Sequence, residues 1–239
     1  MSTKKGRAAK GAEHGSTPGV RARSQLLDAH VRRHHARYRL LYTYSHRTRR
    51  EVVVLGRASY ELFLFLESQP NQKVVEHLHL EVPNRTGEGV VLRQVIVTER
   101  QSAYTVHVVC SRDEVPNEDA ILDAARVKMA LGSRAQVTLH AHARSDLLKH
   151  DTLIVNWQRL NSYLSAASTF SLQSHCKDIL SELRTGGVRV VGDLMPSDMP
   201  GESIALRIAA LAELIQAGRV TSDLDIRQFG ARSTVELAK

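Results

Sequence analysis

Apolar and polar residues alternate through "LRQVIVTERQSAYTVHVVC" (92–110), with a polar break in the middle. A period of two places successive side chains on opposite faces of a strand, so the stretch predicts a hairpin with strands at 90–98 and 103–110. "VVEHLHLEVP" (74–83) and "RAQVTLHAHA" (134–143) alternate in the same way and predict two further strands. "LLYTYS" and "EVVVLG", separated by the basic turn "HRTRR", predict an earlier hairpin. The period lengthens elsewhere. Leu62, Phe65 and Leu66 share one face of a predicted helix over 57–69, which carries Glu61 in its first turn and stops at Pro70-Asn71. "EDAILDAARVKMAL" (118–131) predicts a helix capped by Asn117, with acids in its first turn and Gly132 at its end. "DTLIVNWQRLNSYLSAA" (151–167) predicts another. The order hairpin, helix, strand, hairpin, helix, strand, helix indicates an α/β domain with a mixed sheet over 40–167.

After residue 167 the pattern changes. "SLQSHCKDILSELR" is helical up to Gly186-Gly187, and "VRVVGDL" predicts a short strand. Ile204, Ile208, Leu211 and Ile215 form a helical stripe that Gly218 ends, and "VTSDLDIRQFGARSTVEL" reads as an extended wing. Residues 168–239 are therefore expected to form a small winged-helix-like domain. Residues 1–24 have the Lys/Arg/Gly/Ser composition of a disordered arm, and 25–40 can form a short basic helix.

Charge sharpens this division. The 239 residues carry a net +8, but residues 1–50 hold 13 Lys and Arg against two acids, and the rest hold 20 against 23. All the excess positive charge sits in the first fifth of the chain. Arginine forks and interleaved rings in "RRHHARYRLLYTYSHRTRR" suit phosphate contact and base stacking, with Arg32, Arg33, Arg37, Arg39, Arg47, Arg49 and Arg50 as the candidate DNA-binding residues. No apolar run approaches the ~20 residues of a membrane span. The N-terminus lacks a signal-peptide pattern, and the two cysteines, Cys110 and Cys176, form no CxxC motif. A cytoplasmic, nucleoid-associated protein of a prokaryote is the expectation.

Between residues 40 and 237, the pieces "YSHRTRREVVVLGRASYELFLFLESQPNQKVVEHLHLEV", the 92–110 hairpin, "VTLHAHARSDLLKHDTLIVNWQRLNSYL" and "LAELIQAGRVTSDLDIRQFGARSTVEL" resemble, in order and spacing, the TnsA-type subunit of heteromeric DNA transposases. Ser59-Tyr60-Glu61 and Asn156…Leu160…Tyr163 fit that family's outline. The resemblance implies a restriction-endonuclease-like domain followed by a winged-helix domain. It also implies DNA as ligand, with a DDE transposase subunit and an AAA+ regulator as partners. In such enzymes a helix acid and a hairpin Asp hold Mg²⁺, while a Glu or Gln and a Lys on the second strand complete the site. Here Glu61 matches the helix acid, Gln94 stands at the Asp position, His107 at the Glu/Gln position and Val109 at the Lys position. Reading "RVKMA" as the Lys-bearing strand is excluded by its helical spacing.

The resemblance with these replacements implies a degenerate endonuclease that binds transposon ends without a cofactor. Glu61 is the one residual candidate ligand, and its alternative reading is a partly buried or salt-bridged acid. Two alternatives stand beside this reading: an active Mg²⁺-dependent endonuclease cutting transposon 5′ ends, and a structural nucleic-acid-binding protein unrelated to transposition. The pairs His77/His79 and His140/His142 each share a strand face, and with His107 they can assemble an imidazole-rich metal site. As plain strand residues they are expected to face solvent. The helix at 202–217 has Arg207 as its single basic residue, which makes it a poor groove reader and points the C-terminal domain toward a protein partner.

Overall fold

Alternation over 73–110 produces three consecutive antiparallel strands, and a fourth joins them after a crossover helix. The computed structural model describes residues 39–70, 72–83, 90–110, 117–195 and 198–239. Residues 1–38, including Arg32, Arg33 and Arg37, and residues 84–89 and 111–116 lie outside the described residues, as do the disorder and the basic helix expected there before residue 39.

The chain opens with the hairpin β1 (Leu40–Ser45) and β2 (Arg50–Leu55), paired in register from Leu40↔Leu55 to Ser45↔Arg50. Helix α1 (Gly56–Ser68) begins directly at the end of β2. The corner turns at Gly56, whose φ of +77° a side chain would strain, and the Gly56 N–H is held by the Arg39 carbonyl at 2.8 Å. Because α1 starts at Gly56, Glu61 falls in its second turn, a correction to the expected first-turn position. Gln69, followed by Pro70, leaves helical geometry and ends α1.

Strands β3 (Lys73–Pro83), β4 (Val90–Arg100), β5 (Ala103–Cys110) and β6 (Gln136–Ala143) form a four-stranded sheet in that order. β3–β4 and β4–β5 are antiparallel, and β6 runs parallel to β5. Gln101 and Ser102 both take positive φ in the two-residue turn joining β4 and β5, as a turn matched to strand twist requires. Helix α2 (Glu118–Lys128) makes the β5–β6 crossover. Asn117 caps it by accepting the Ala120 N–H at 3.3 Å, as expected. Its end differs from expectation: Ala130, at φ +52°, takes the left-handed position instead of Gly132.

The sheet is covered on both faces. On one, Leu80, Val82, Val95, Val97, Val106, Val108 and Val137 bury against Ile121 and Ala125 of α2. Each large aliphatic side chain so buried contributes about 1.5–3 kcal/mol. The opposite face carries Ile96, His77, His107 and His142, and α1 lies over it: Phe63 meets the His77 ring at 5.6 Å and Phe65 meets His142 at 6.3 Å.

A four-residue helix, α3 (Arg144–Leu147), and a 3₁₀ turn lead to α4 (Asp151–Ala166), which packs on α1. The C-terminal segment contains α5 (Gln173–Gly186), β7 (Arg189–Val190), α6 (Val191–Leu194), α7 (Gly201–Gln216), β8 (Val220–Ser222) and β9 (Thr234–Leu237). The stretch "VRVVGDL" is strand only at Arg189–Val190 and helix thereafter. β9 pairs antiparallel with both β7 and β8. One hydrophobic cluster runs from Phe63 and Leu66 through Trp157 and Leu160 to Ile179, Leu211 and Val235, without a break at residue 167. The fold is thus mixed α/β, and among the described residues no helix is long and apolar enough to cross a membrane.

Polar side chains lock the two halves together. Asn156 of α4 donates to the carbonyls of Leu224 and Arg227, each at 2.7 Å, and accepts the Phe229 N–H at 2.8 Å. At the end of α1, Glu67 is fully buried, accepting from Ser45 Oγ at 2.6 Å and Gln216 Nε2 at 2.9 Å. Burial pushes the Glu67 carboxyl up, against the pull of Ser45, Arg47 and Gln216.

Candidate functional site

The positions that the resemblance aligns with an acidic metal site, and that carry replaced residues, make other contacts here. Gln94 is 6% exposed and turns toward β2, where its Oε1 accepts the Leu55 N–H at 2.6 Å and its Nε2 donates to the Val53 carbonyl at 3.4 Å. The amide extends the hydrogen bonding of β2 toward β4, a task needing both a donor and an acceptor. Val109 packs into the core below α1. Glu61 is buried and paired with Arg57 at 2.7 Å and Arg144 at 3.3 Å, which matches its reading as a buried, salt-bridged acid.

His107 is 6% exposed, and the ladder explains its neighbours. It sits opposite His140 in the parallel β5–β6 register, and His142 follows two residues later on the same face. The His140 and His142 rings stack with centroids 4.2 Å apart and planes within 15°. His107 Nδ1 lies 3.0 Å from His142 Nε2, and His107 Nε2 lies 2.9 Å from Thr98 Oγ1. One nitrogen from each of the three rings falls within 4.8 Å of the others. Burial, then the neighbouring His142 and His140, pulls His107 down to about 3. Burial, then His140, pulls His142 down to about 4, with Asp146 opposing. Both rings are therefore neutral near pH 7, with lone pairs available.

The expectation that these strand histidines face solvent holds only for His140, which is exposed. His77 lies under Phe63 with neither ring nitrogen bonded, and burial, then Arg50 and His79, pulls it down to about 3. His79 bonds the Val53 carbonyl, and burial pulls it down to about 4. The face is polar in sequence yet covered by α1 and β2.

The basic candidates separate likewise. Arg47 does not present its guanidinium to a phosphate: it is partly buried, bonded to the carbonyls of Gln69, Gln72 and Glu67 and reaching that of Gln216. It thereby closes the C-terminal end of α1. Arg50 pairs with Glu76. Arg39 and Arg49 are exposed. Arg207 is 5% exposed and paired with Glu182, and half of the α7 residues are buried, so its one basic side chain is held within the fold. Cys110 and Cys176 are free and buried, and burial pushes Cys176 up to about 11, which removes both thiols as nucleophiles at neutral pH. Compared with known proteins, the chain matches no protein-family model, and no curated protein sequence shows significant similarity to it.

Proposed function

We propose that this chain is a DNA-binding subunit of a heteromeric, TnsA-like transposition system, with a restriction-endonuclease-like core whose acidic site has lost its chemistry. The observation that carries the reading is the order α1–β3–β4–β5–α2–β6, with β6 parallel to β5 and α1 over the face that holds positions 94, 107 and 109. That arrangement is what the resemblance implies for a nuclease core, and the residues at its reactive positions argue against hydrolysis through Mg²⁺. A neutral amide held by β2, an imidazole and a core valine supply no hard oxygen ligand, and Glu61 is already balanced by two guanidinium groups.

In this reading the arginine-rich N-terminal segment supplies DNA affinity, and Arg39 and Arg49 extend it onto the described surface. The C-terminal segment is winged-helix-like, with β8 and β9 as the wing, and contacts a DDE transposase subunit or an AAA+ regulator. Exposed Val188 and Ile226 beside β8 and β9 line one open groove suited to a protein surface. The protein acts on the nucleoid of a prokaryotic cytoplasm.

The test is a filter-binding and nicking experiment on transposon-end duplexes, with and without the partner subunits. The expected result is salt-sensitive binding and no strand cleavage with Mg²⁺ or Mn²⁺. A 5′-end nick that Glu61→Ala abolishes, with folding and DNA binding intact, makes the protein an active endonuclease and overturns the reading. Binding indifferent to the presence of a transposon end, with no partner captured, overturns the transposition assignment.

A further inference from the structure

We propose that His107, His140 and His142 form a binding site for one divalent transition-metal ion of the zinc class, with three imidazole ligands and a fourth position left to a water or anionic oxygen. The proposal stands on ring geometry and does not depend on the transposition reading.

The backbone sets the three rings. On β6, His140 and His142 are separated by two residues and share a face; on β5, His107 lies opposite His140 in a parallel ladder. Zinc–nitrogen bonds of about 2.0–2.1 Å place tetrahedral ligand atoms roughly 3.3 Å apart. His107 Nδ1 and His142 Nε2 are already 3.0 Å apart, and all three candidate nitrogens fall within 4.8 Å. Closing the set around an ion therefore takes a side-chain rotation at His140, the exposed member, with both strands left in place.

Thr98 supplies the support that such a site needs. A ligating histidine is oriented by a partner on its other ring nitrogen, and Thr98 Oγ1 sits 2.9 Å from His107 Nε2. The hydroxyl suits both states. Without an ion, the proton shared between His107 and His142 can reside on His107 Nδ1, with Thr98 donating to Nε2. With an ion on Nδ1, the proton moves to Nε2 and Thr98 accepts it. His107 stays neutral in both states, so loading the site through this ring releases no proton.

The donor set selects the metal. Three imidazoles suit Zn²⁺, Co²⁺, Ni²⁺ or Cu²⁺, and without a carboxylate in the group they offer little to Mg²⁺ or Ca²⁺. Phe65, edge-on to His142, walls the site on the α1 side, and the exposure of His140 gives an ion its entry.

The experiment uses the full-length protein, stripped with a chelator and titrated with Zn²⁺ against a chromophoric competitor, and in parallel with Co²⁺ followed by visible absorption. One equivalent of Zn²⁺ is expected, together with the intense visible bands of four-coordinate Co²⁺, neither displaced by excess Mg²⁺. His140→Asn weakens Zn²⁺ binding ~100-fold or more, and Thr98→Val weakens it about 10–100-fold through His107. A His34→Asn/His35→Asn double substitution in the arm leaves the equivalent in place. The proposal is overturned by absence of Zn²⁺ binding in the wild-type protein, by weak octahedral Co²⁺ bands, by undiminished binding in His140→Asn, or by loss of the equivalent in the arm double. Should His140→Asn fail to fold, the wild-type Co²⁺ spectrum decides alone.

Discussion

The side chain of Gln94 takes the backbone N–H of Leu55 at 2.6 Å, so a residue of β4 serves as the hydrogen-bond partner of β2. Gln94→Ala leaves that buried N–H without an acceptor and is expected to cost about 1–3 kcal/mol. Gln94→Asp costs more, because its shorter carboxylate buries a charge and has no donor for the Val53 carbonyl. Urea unfolding measures both, and a Mg²⁺ nicking assay on Gln94→Asp is expected to stay blank. A stable, cleaving Gln94→Asp protein contradicts the assignment of Gln94 to β2.

Asn156 holds the segment between α7 and β9 with three short hydrogen bonds to residues 224–229. Asn156→Ala is expected to lose on the order of 3 kcal/mol, the net contribution of about 1 kcal/mol for each bond. Asn156→Asp fares no better, since a carboxylate cannot donate to the Leu224 and Arg227 carbonyls. Limited proteolysis should then cleave first within residues 224–233, well before the four-stranded sheet is attacked.

Acid should destabilise the protein through His77 and His79. Their folded-state values, about 3 and about 4, lie below the unfolded value near 6.5. A depressed folded value means that the unfolded chain takes up protons first. The stability involved is therefore fully present above about pH 6.5 and is lost as pH falls toward 3, by on the order of a few kcal/mol. His77→Leu, which also removes two unbonded ring nitrogens from beneath Phe63, should flatten the fall in urea midpoint between pH 7 and 4. An unchanged slope in that variant removes His77 as a cause.

DNA affinity should depend on the segment before β1. Arg47 and Arg50 are occupied within the fold, whereas residues 1–38 carry nine Lys and Arg. Deleting 1–38 is expected to weaken binding and to flatten the salt dependence by ~0.9 in slope for each phosphate that the shortened chain no longer neutralises. An unchanged slope moves the DNA-contacting surface onto the described residues.

Alternation and capping were readable from sequence because they are local. The 92–110 hairpin, the Asn117 cap and the helical character of "RVKMA" all follow from neighbours a few residues away. The histidine layer was less so. A period of two says which residues share a face, but not whether a distant element covers that face. Here α2 takes the Leu/Val face, and α1 with β2 takes the face of His77, His79 and His107. The pairing of Glu61 with Arg144, 83 residues away, and of Glu67 with Gln216, 149 residues away, left no mark in composition or spacing. Arg47 misleads for the same reason: inside a basic run it reads as a phosphate fork, and only the fold brings the carbonyls at the end of α1 to it.

The fully buried Glu67 sets an order of events during synthesis. Its carboxylate is satisfied by Ser45, made early, and by Gln216, made much later, while Asn156 waits for residues 224–229. A nascent chain emerging from the ribosome can assemble the four-stranded sheet once β6 is out. At that stage α4 and Gln216 are still to come, so Glu67 lacks one of its partners and the cluster around Trp157 is unmade. Contacts this distant in sequence slow folding, because loop closure must precede them. A chain shortened before Gln216 therefore leaves Glu67 short of one partner and the cluster around Trp157 incomplete.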